Sequence, residues 1–413
     1  MPERAILHID MNNFYASVEC MLNPELKPFP IAVCGSQEER HGIVLAKNYA
    51  AKAKGVSTGE AIWQAKLKCP NLVVVPPHYD QYMKFSKLAR DIYGRYTDLI
   101  EPFGMDEVWA DVTGSQRAMG TPLHMAEEIK KTITYELGLT VSIGVSFNKI
   151  FAKLGSDMKK PDAITVINKE TFREQIWNLP ASDMLGVGRA TEKKLSSVGI
   201  RTIGQIAQFP CDYFQRKLGK CGVDLWRFAN GMDDSQVTVR DYEAPDKSVG
   251  HGMTAIQDLE NDAEVWKFIL ELCQDIGHRL YVFNKKATGI AIAIRDNELF
   301  TKQWQSAIPV PTQSPSSIAK EAFSLFLRSY DWKRPIRSLT VRAINLTSLD
   351  TPCQLDIFSD PVKVARAEAL DKTIEELRYR FGKKIIRNAC LLDNPKMSAH
   401  DNPDIIMPTG VPQ

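Results

Sequence analysis

Short apolar runs that end in carboxylates punctuate the first part of the chain. Ile6-Leu7-His8-Ile9-Asp10-Met11 reads as a strand that delivers Asp10 to its own end, and an amphipathic helix follows at once over residues 14–20. Strand and helix patterns then alternate: a strand at 31–34, strand into helix over 42–54, a helix at 59–68 and a strand at 72–75. Pro24, Pro28, Pro30, Pro76 and Pro77 separate these pieces. Over residues 79–96, Tyr82, Phe85, Leu88, Ala89 and Ile92 fall on one face of a long predicted helix. A hairpin around Gly104-Met105-Asp106-Glu107-Val108-Trp109 places two adjacent acids in an apolar, strand-like segment. A helix at 125–137, a strand at 140–145 and a helix at 149–158 complete this stretch.

Residues 168–231 read as short helices broken by glycine turns. Within them Leu185-Gly186-Val187-Gly188-Arg189 looks like the turn of a helix-hairpin-helix, whose exposed backbone amides grip a DNA phosphate without reading sequence. The polar stretch 233–247 reads as a linker. Beyond it, strands at 288–295 and 338–346 accompany amphipathic helices at 263–281 and 316–329. Lys285, Lys286, Arg295, Arg334, Arg337 and Arg342 contribute to a local basic excess there, as expected of a surface that tracks phosphates. Residues 361–381 have a helical composition, and 397–413 are expected to be disordered.

The 413 residues predict two to four domains. The 52 basic and 50 acidic residues nearly cancel, so any affinity for nucleic acid must arise from local asymmetry. No apolar run approaches the roughly 20 residues that span a bilayer, and the start of the chain has no signal-peptide pattern. No membrane partner is therefore expected. The eight cysteines form no C-x-x-C pair, which predicts reduced thiols, a cytoplasmic location and no zinc site.

Asp10, Asp106 and Glu107, all at strand ends, could together hold two Mg²⁺ ions about 3.5–4 Å apart, the arrangement used in nucleotidyl transfer. Three segments, D-M-N-N-F-Y-A-S-V-E, G-M-D-E-V-W-A-D-V-T and S-I-G-V-S-F-N-K-I-F-A-K-L-G-S-D-M-K-K-P, resemble the signatures of Y-family DNA polymerases, which copy damaged templates. The resemblance runs in order from about Ile6 to Phe358 and is greatest to the bacterial DNA polymerase IV (DinB) branch. It implies an α+β multidomain right hand. The palm would comprise 1–11 and 78–167, the fingers 12–77, and a helix-hairpin-helix thumb 168–235. A linker at 236–247, a β-rich little finger at 248–350 and a tail at 351–413 would follow. The implied activity is low-fidelity, template-directed synthesis by a monomer, without proofreading. Its partners would be primer-template DNA and dNTPs.

By the same resemblance Asp10, Asp106, Glu107 and the Met11 carbonyl are the ligands of two Mg²⁺ ions. The amides of Asn12, Asn13 and Phe14 would meet the triphosphate at a helix N-terminus. Tyr15 matches the steric gate that leaves no room for a 2′-OH, and Tyr49, Lys52 and Lys160 match triphosphate contacts. Asn12 stands where the branch often has Asp, Ala46 where it often has Thr, and Lys52 where it more often has Arg. Gln354, Leu355, Ile357 and Phe358 resemble the peptide by which bacterial polymerases dock on the sliding clamp, with about fifty-five residues still to follow. Two alternatives remain on these residues: a polymerase V-like catalytic subunit that needs protein partners, and a non-catalytic helix-hairpin-helix DNA-binding module.

Overall fold

The structure, a computed structural model, describes residues 3–242, 245–351, 361–382, 385–392 and 395–397. Among these the chain divides into two compact units, one of residues 3–35 and 43–242 and the other of residues 36–42 and 245–397.

In the first unit the strands are β1 (Ile6–Met11), β2 (Ile31–Cys34), β3 (Val44–Lys47), β4 (Val73–Val75), β5 (Ile100–Pro102), β6 (Glu107–Asp111), β7 (Val141–Ser146) and β8 (Ile164–Ile167). They form a five-stranded sheet ordered β5-β6-β1-β7-β8 and a small sheet ordered β3-β2-β4. β1 is buried along its whole length because it is the central strand, paired antiparallel to β6 on one side and β7 on the other. Leu7, Ile9 and Met11 point into a core shared with the Phe14–Leu22, Tyr79–Tyr93 and Pro122–Leu137 helices. His8 and Asp10 therefore project from the opposite face. That face receives the Lys149–Met158 helix, which approaches β7 closely at Gly144. A Cβ there would lie 1.9 Å from the Ala152 carbonyl oxygen.

Residues 172–229 fold as short helices around Phe151, Phe172, Ile176, Ile203, Phe214 and Leu225. The segment joining this unit to the next has no regular structure in its described part, in keeping with its polar sequence.

The second unit is a four-stranded antiparallel sheet, β11-β10-β12-β9, built from β9 (Ser248–Leu259), β10 (Lys285–Asp296), β11 (Thr301–Thr312) and β12 (Ile336–Ser348). Ile290, Ile292, Ile294, Leu339 and Val341 pack beneath the Asp262–Val282 and Pro315–Ser329 helices. The Pro361–Phe381 helix docks on this unit. Glu375 Oε2 lies 2.6 Å from His278 Nδ1, Arg378 Nη2 donates to Gln274 Oε1 at 2.8 Å, and Lys286 pairs with Glu368 at 3.2 Å. Further on, Leu391 is buried in the same core and Met397 packs against it. Ile256 N–H donates to the Lys396 carbonyl at 2.9 Å. Met397 is thus ordered, contrary to the expectation for the terminal stretch; 398–413 lie outside the described residues.

Candidate active site

The antiparallel register sets Asp10 opposite Glu107 and His8 opposite Trp109, so these four side chains share one face of the sheet. Asp106 would point away if it belonged to the strand. It lies instead on the bend before β6, two residues after Gly104, whose φ is 98°. There its carboxyl feels the charges of both Asp10 and Glu107. The Met11 amide donates to the Asp106 carbonyl at 2.9 Å and ties the two ends together.

Burial, and then the charges of Asp10 and Glu107, push Asp106 up to about 7. Burial likewise pushes Asp10 up to about 7; Glu107 adds to the rise and Lys160 opposes it. Two lysines answer this acidic cluster. Lys160 Nζ is 2.6 Å from Asp10 Oδ2 and 2.8 Å from Asp157 Oδ1. Lys153 Nζ is 2.6 Å from Glu107 Oε2 and 3.3 Å from Asp157 Oδ2. Burial works against the Lys160 charge, yet Asp10 and Asp157 hold its pKa above the ordinary lysine value. His8 is fully buried, and that burial, with Lys153 nearby, lowers its pKa well below the usual histidine range. Its Nδ1 lies 2.8 Å from Ser156 Oγ, and its Nε2 faces Glu107 Oε2 at 3.3 Å.

Among the described residues no three His, Cys, Asp or Glu side chains already stand at metal-binding geometry. The Glu107 carboxylate is directed to His8 and Lys153. The donor set nevertheless suits a hard divalent cation. It consists of carboxylate oxygens, and Asp106 has no ion-pair partner among the described residues. His8, Lys153 and Asp157 escaped sequence reading. The signal for two of them was the four-residue recurrence of Lys149, Lys153 and Asp157 along one helical face.

The residues expected to meet a nucleotide divide into two groups. Tyr49 is raised above the ordinary tyrosine value by burial, with Lys160, Asp10 and Asp162 all within electrostatic reach. Lys52 lies 5.7 Å from the centre of the Tyr49 ring. Tyr49 thus borders the carboxylates, and Lys52 lies behind it. Asn13 adopts a left-handed conformation, φ 47°, and opens the Phe14–Leu22 helix, whose first-turn amides suit an anion. Asn12 is different. Its amide already donates to the Thr140 carbonyl at 2.9 Å. Its side chain donates to Ser142 Oγ at 2.8 Å and accepts from Thr140 Oγ1 at 3.2 Å and Asp162 N–H at 2.9 Å. Asn12 braces the loop that carries Lys160, which corrects its expected contact with a triphosphate.

Among the proposed DNA contacts, Gly186 and Gly188 are both exposed, and buried Val187 anchors the turn between them. On the sheet of the second unit, Leu339 and Val341 face the helices, so Arg342 and Thr340 face outward. The Arg342 stem crosses Gly250, where a Cβ would meet its Cγ at 2.3 Å, and Gly252 makes similar room for Thr340. Arg295 projects from β10 and is exposed; Lys285 begins β10 and Arg337 lies near the start of β12. Arg334 is drawn off by Asp296 at 3.3 Å and Glu298 at 2.7 Å, and Lys286 by Glu368. These two already have acidic partners, so their place in a phosphate-tracking surface is weakened. The peptide Gln354, Leu355, Ile357, Phe358 lies outside the described residues.

Residues 9–157 match the model of the impB/mucB/samB family, and residues 246–357 that of its C-terminal domain. Residues 182–233 match a thumb-domain model described for DNA polymerase-iota. The chain is 49% identical to DNA polymerase IV of Acetivibrio thermocellus over 95% of its own length and 98% of that relative. It is 38% identical to DNA polymerase IV 1 of Bacillus subtilis, covering 94% of this chain and 93% of the other. A solved Y-family DNA polymerase chimera shares its fold with a TM-score of 0.74, at 23% identity, over 83% of this chain and 99% of that one.

Proposed function

The chain belongs to the impB/mucB/samB family of Y-family DNA polymerases, of the DNA polymerase IV type, and we propose that it works by two-metal-ion nucleotidyl transfer at Asp10, Asp106 and Glu107. It is a template-directed DNA polymerase of the translesion class that binds primer-template DNA and nucleotides and uses divalent metal. An enzyme of this kind is more than a DNA-binding module, so the non-catalytic alternative falls away.

The observation that carries the mechanism is the meeting of Asp10, Asp106 and Glu107 at the paired ends of β1 and β6, beside Lys160. Asp10, Asp106, Glu107 and the Met11 carbonyl would hold two Mg²⁺ ions. Such ions, when bound, supply charge neutralisation for the 3′-OH, the phosphoryl oxygens and the leaving pyrophosphate. The amides of Asn13 and Phe14 orient the triphosphate, with Tyr49, Lys52 and Lys160 as side-chain contacts. Tyr15 excludes the 2′-OH of a ribonucleotide. In this reading the palm is 1–11 and 78–167, the fingers 12–77, the thumb 168–235, the linker 236–247, the little finger 248–350 and the tail 351–413. The enzyme acts as a cytoplasmic monomer, without proofreading, and docks on the sliding clamp through Gln354, Leu355, Ile357 and Phe358. Primer extension with Mg²⁺ or chelator, on undamaged and lesion-bearing templates, tests the reading. Extension past the lesion that requires Mg²⁺ is expected; extension that persists in chelator would overturn it.

A further inference from the structure

Glu19 closes the motif that begins at Asp10, yet no step of the reaction uses it. It is a carboxylate with 3% of its surface exposed, and a buried acid needs partners that repay its lost hydration. It has two. The Tyr82 hydroxyl donates to Oε1, and His78 Nδ1 lies 3.0 Å from Oε1 and 3.1 Å from Oε2.

The spacing explains the arrangement. Tyr15 and Glu19 are four residues apart on the Phe14–Leu22 helix, and His78 and Tyr82 are four apart at the start of the Tyr79–Tyr93 helix. When these two helices pack, each pair meets the other. The Tyr15 ring stacks on Tyr82 with centroids 4.2 Å apart and planes 8° from parallel, and Tyr79 presents its edge to Tyr15 at 5.9 Å. The Tyr15 hydroxyl is 3.5 Å from Met105 Sδ, immediately before Asp106. The plane of Tyr15 is thus set by Tyr82, and the position of Tyr82 by Glu19.

We infer that Glu19 and Tyr82 are positioning residues for sugar discrimination: Glu19 anchors the Tyr82 ring, which backs Tyr15 and keeps it from yielding to a 2′-OH. The inference rests on the proposed role of Tyr15 as the steric gate. A barrier made of one side chain excludes only as well as that side chain is held, because a rotamer change would remove the clash. Tyr82→Phe keeps the stack and deletes only the anchoring hydroxyl; Glu19→Gln keeps the shape and weakens the acceptor.

The test is single-nucleotide insertion kinetics with matched rNTP and dNTP for wild type, Tyr82→Phe, Glu19→Gln, Tyr15→Ala and Tyr15→Ala/Tyr82→Phe, with a thermal melt of each. Loss of one such hydrogen bond predicts that dNTP preference in kcat/KM falls about fivefold in Tyr82→Phe and Glu19→Gln. The change should come from faster rNTP insertion, with dNTP insertion altered less. In the Tyr15→Ala background, Tyr82→Phe should change the preference no further, since its effect acts through the Tyr15 ring. Preference intact in both anchor variants while Tyr15→Ala abolishes it overturns the inference alone. Preference intact in Tyr15→Ala overturns the gate reading and the inference with it. A uniform loss of dNTP and rNTP insertion with a lowered melt marks a structural role only and also overturns the inference.

Discussion

Lys160 and Asp10 are each other's counter-ions: the ammonium stands 2.6 Å from Oδ2, and Asp157 takes the other side of the same nitrogen at 2.8 Å. Asp106, beside them, has no such partner among the described residues, and its pKa is pushed up to about 7. The acidic cluster is therefore unevenly compensated, and its members should respond differently to substitution.

Replacing Asp106 or Glu107 with alanine should remove primer extension and leave primer-template affinity nearly unchanged, because these acids serve the proposed metals and not the DNA backbone. Turnover and a DNA-binding titration are read side by side. Retention of a tenth or more of wild-type turnover, a barrier increase of only roughly 1.4 kcal/mol, would contradict the assignment.

Asp106→Asn should stabilise the chelator-treated protein by about 1 kcal/mol at pH 8 by removing a charge that burial and then the neighbouring acids disfavour. The sign follows from the raised pKa. The folded state holds the Asp106 proton more tightly than the unfolded chain, so its stabilising contribution is present at low pH and is lost as pH rises through about 7. The melting-temperature gap between variant and wild type should thus open between pH 5 and pH 8. A gap of the same size at both ends would refute the electrostatic account.

Tyr15→Ala should raise ribonucleotide use relative to deoxyribonucleotide use far more than it lowers dNTP insertion. In the proposed gate the ring acts against one hydroxyl, so its removal should relax selectivity first. An unchanged rNTP/dNTP ratio of kcat/KM would exclude Tyr15 as the gate.

Alanine at Gln354, Leu355, Ile357 and Phe358 should spare synthesis on short primed templates and abolish the gain in product length from added sliding clamp. A docking peptide raises the local concentration of polymerase at the primer end without touching its chemistry. Product-length analysis with and without clamp decides it, and a full clamp response in the variant would move the docking site elsewhere.

The central strands and long helices were legible in the sequence because their apolar periodicity is strong. β2 and the Lys149–Met158 helix fall where the pattern sets them. Several edges were not legible, although β3 and β4 at the edges of the small sheet fall within the expected 42–54 and 72–75. β8, β9 and β11 lie at sheet edges, where one face or one row of hydrogen bonds is free, and their sequences are correspondingly irregular. β11 carries Pro309 and Pro311, which an edge strand tolerates, and β9 carries Gly250 and Gly252, which make room for Arg342 and Thr340. At the candidate site the acids stood out through motif resemblance. Lys160 stood out as a triphosphate contact but not as the counter-ion of Asp10, and Lys153 did not stand out at all, because it reaches Glu107 only through a helix packed across the sheet. The double use of the Asn12 amide and side chain was likewise invisible without Thr140 and Asp162 beside it.

The docking of the Pro361–Phe381 helix would change the mechanics of the proposed clamp contact. A peptide at a free chain end swings on one tether and sweeps a sphere. Here the peptide is joined to the same folded unit on both sides, to β12 at Ser348 and to the helix at Pro361, whose docking runs through Lys286, His278 and Gln274. The intervening residues reach at most roughly 40 Å if fully extended. A partner bound to the peptide would then have to lie within reach of both tethers, the shorter of which runs only from Phe358 to Pro361. On the proposed docking, the chain beyond the peptide would act as the second guy-line of a bridle, trading freedom of reach for control of the direction from which the polymerase is presented to the DNA.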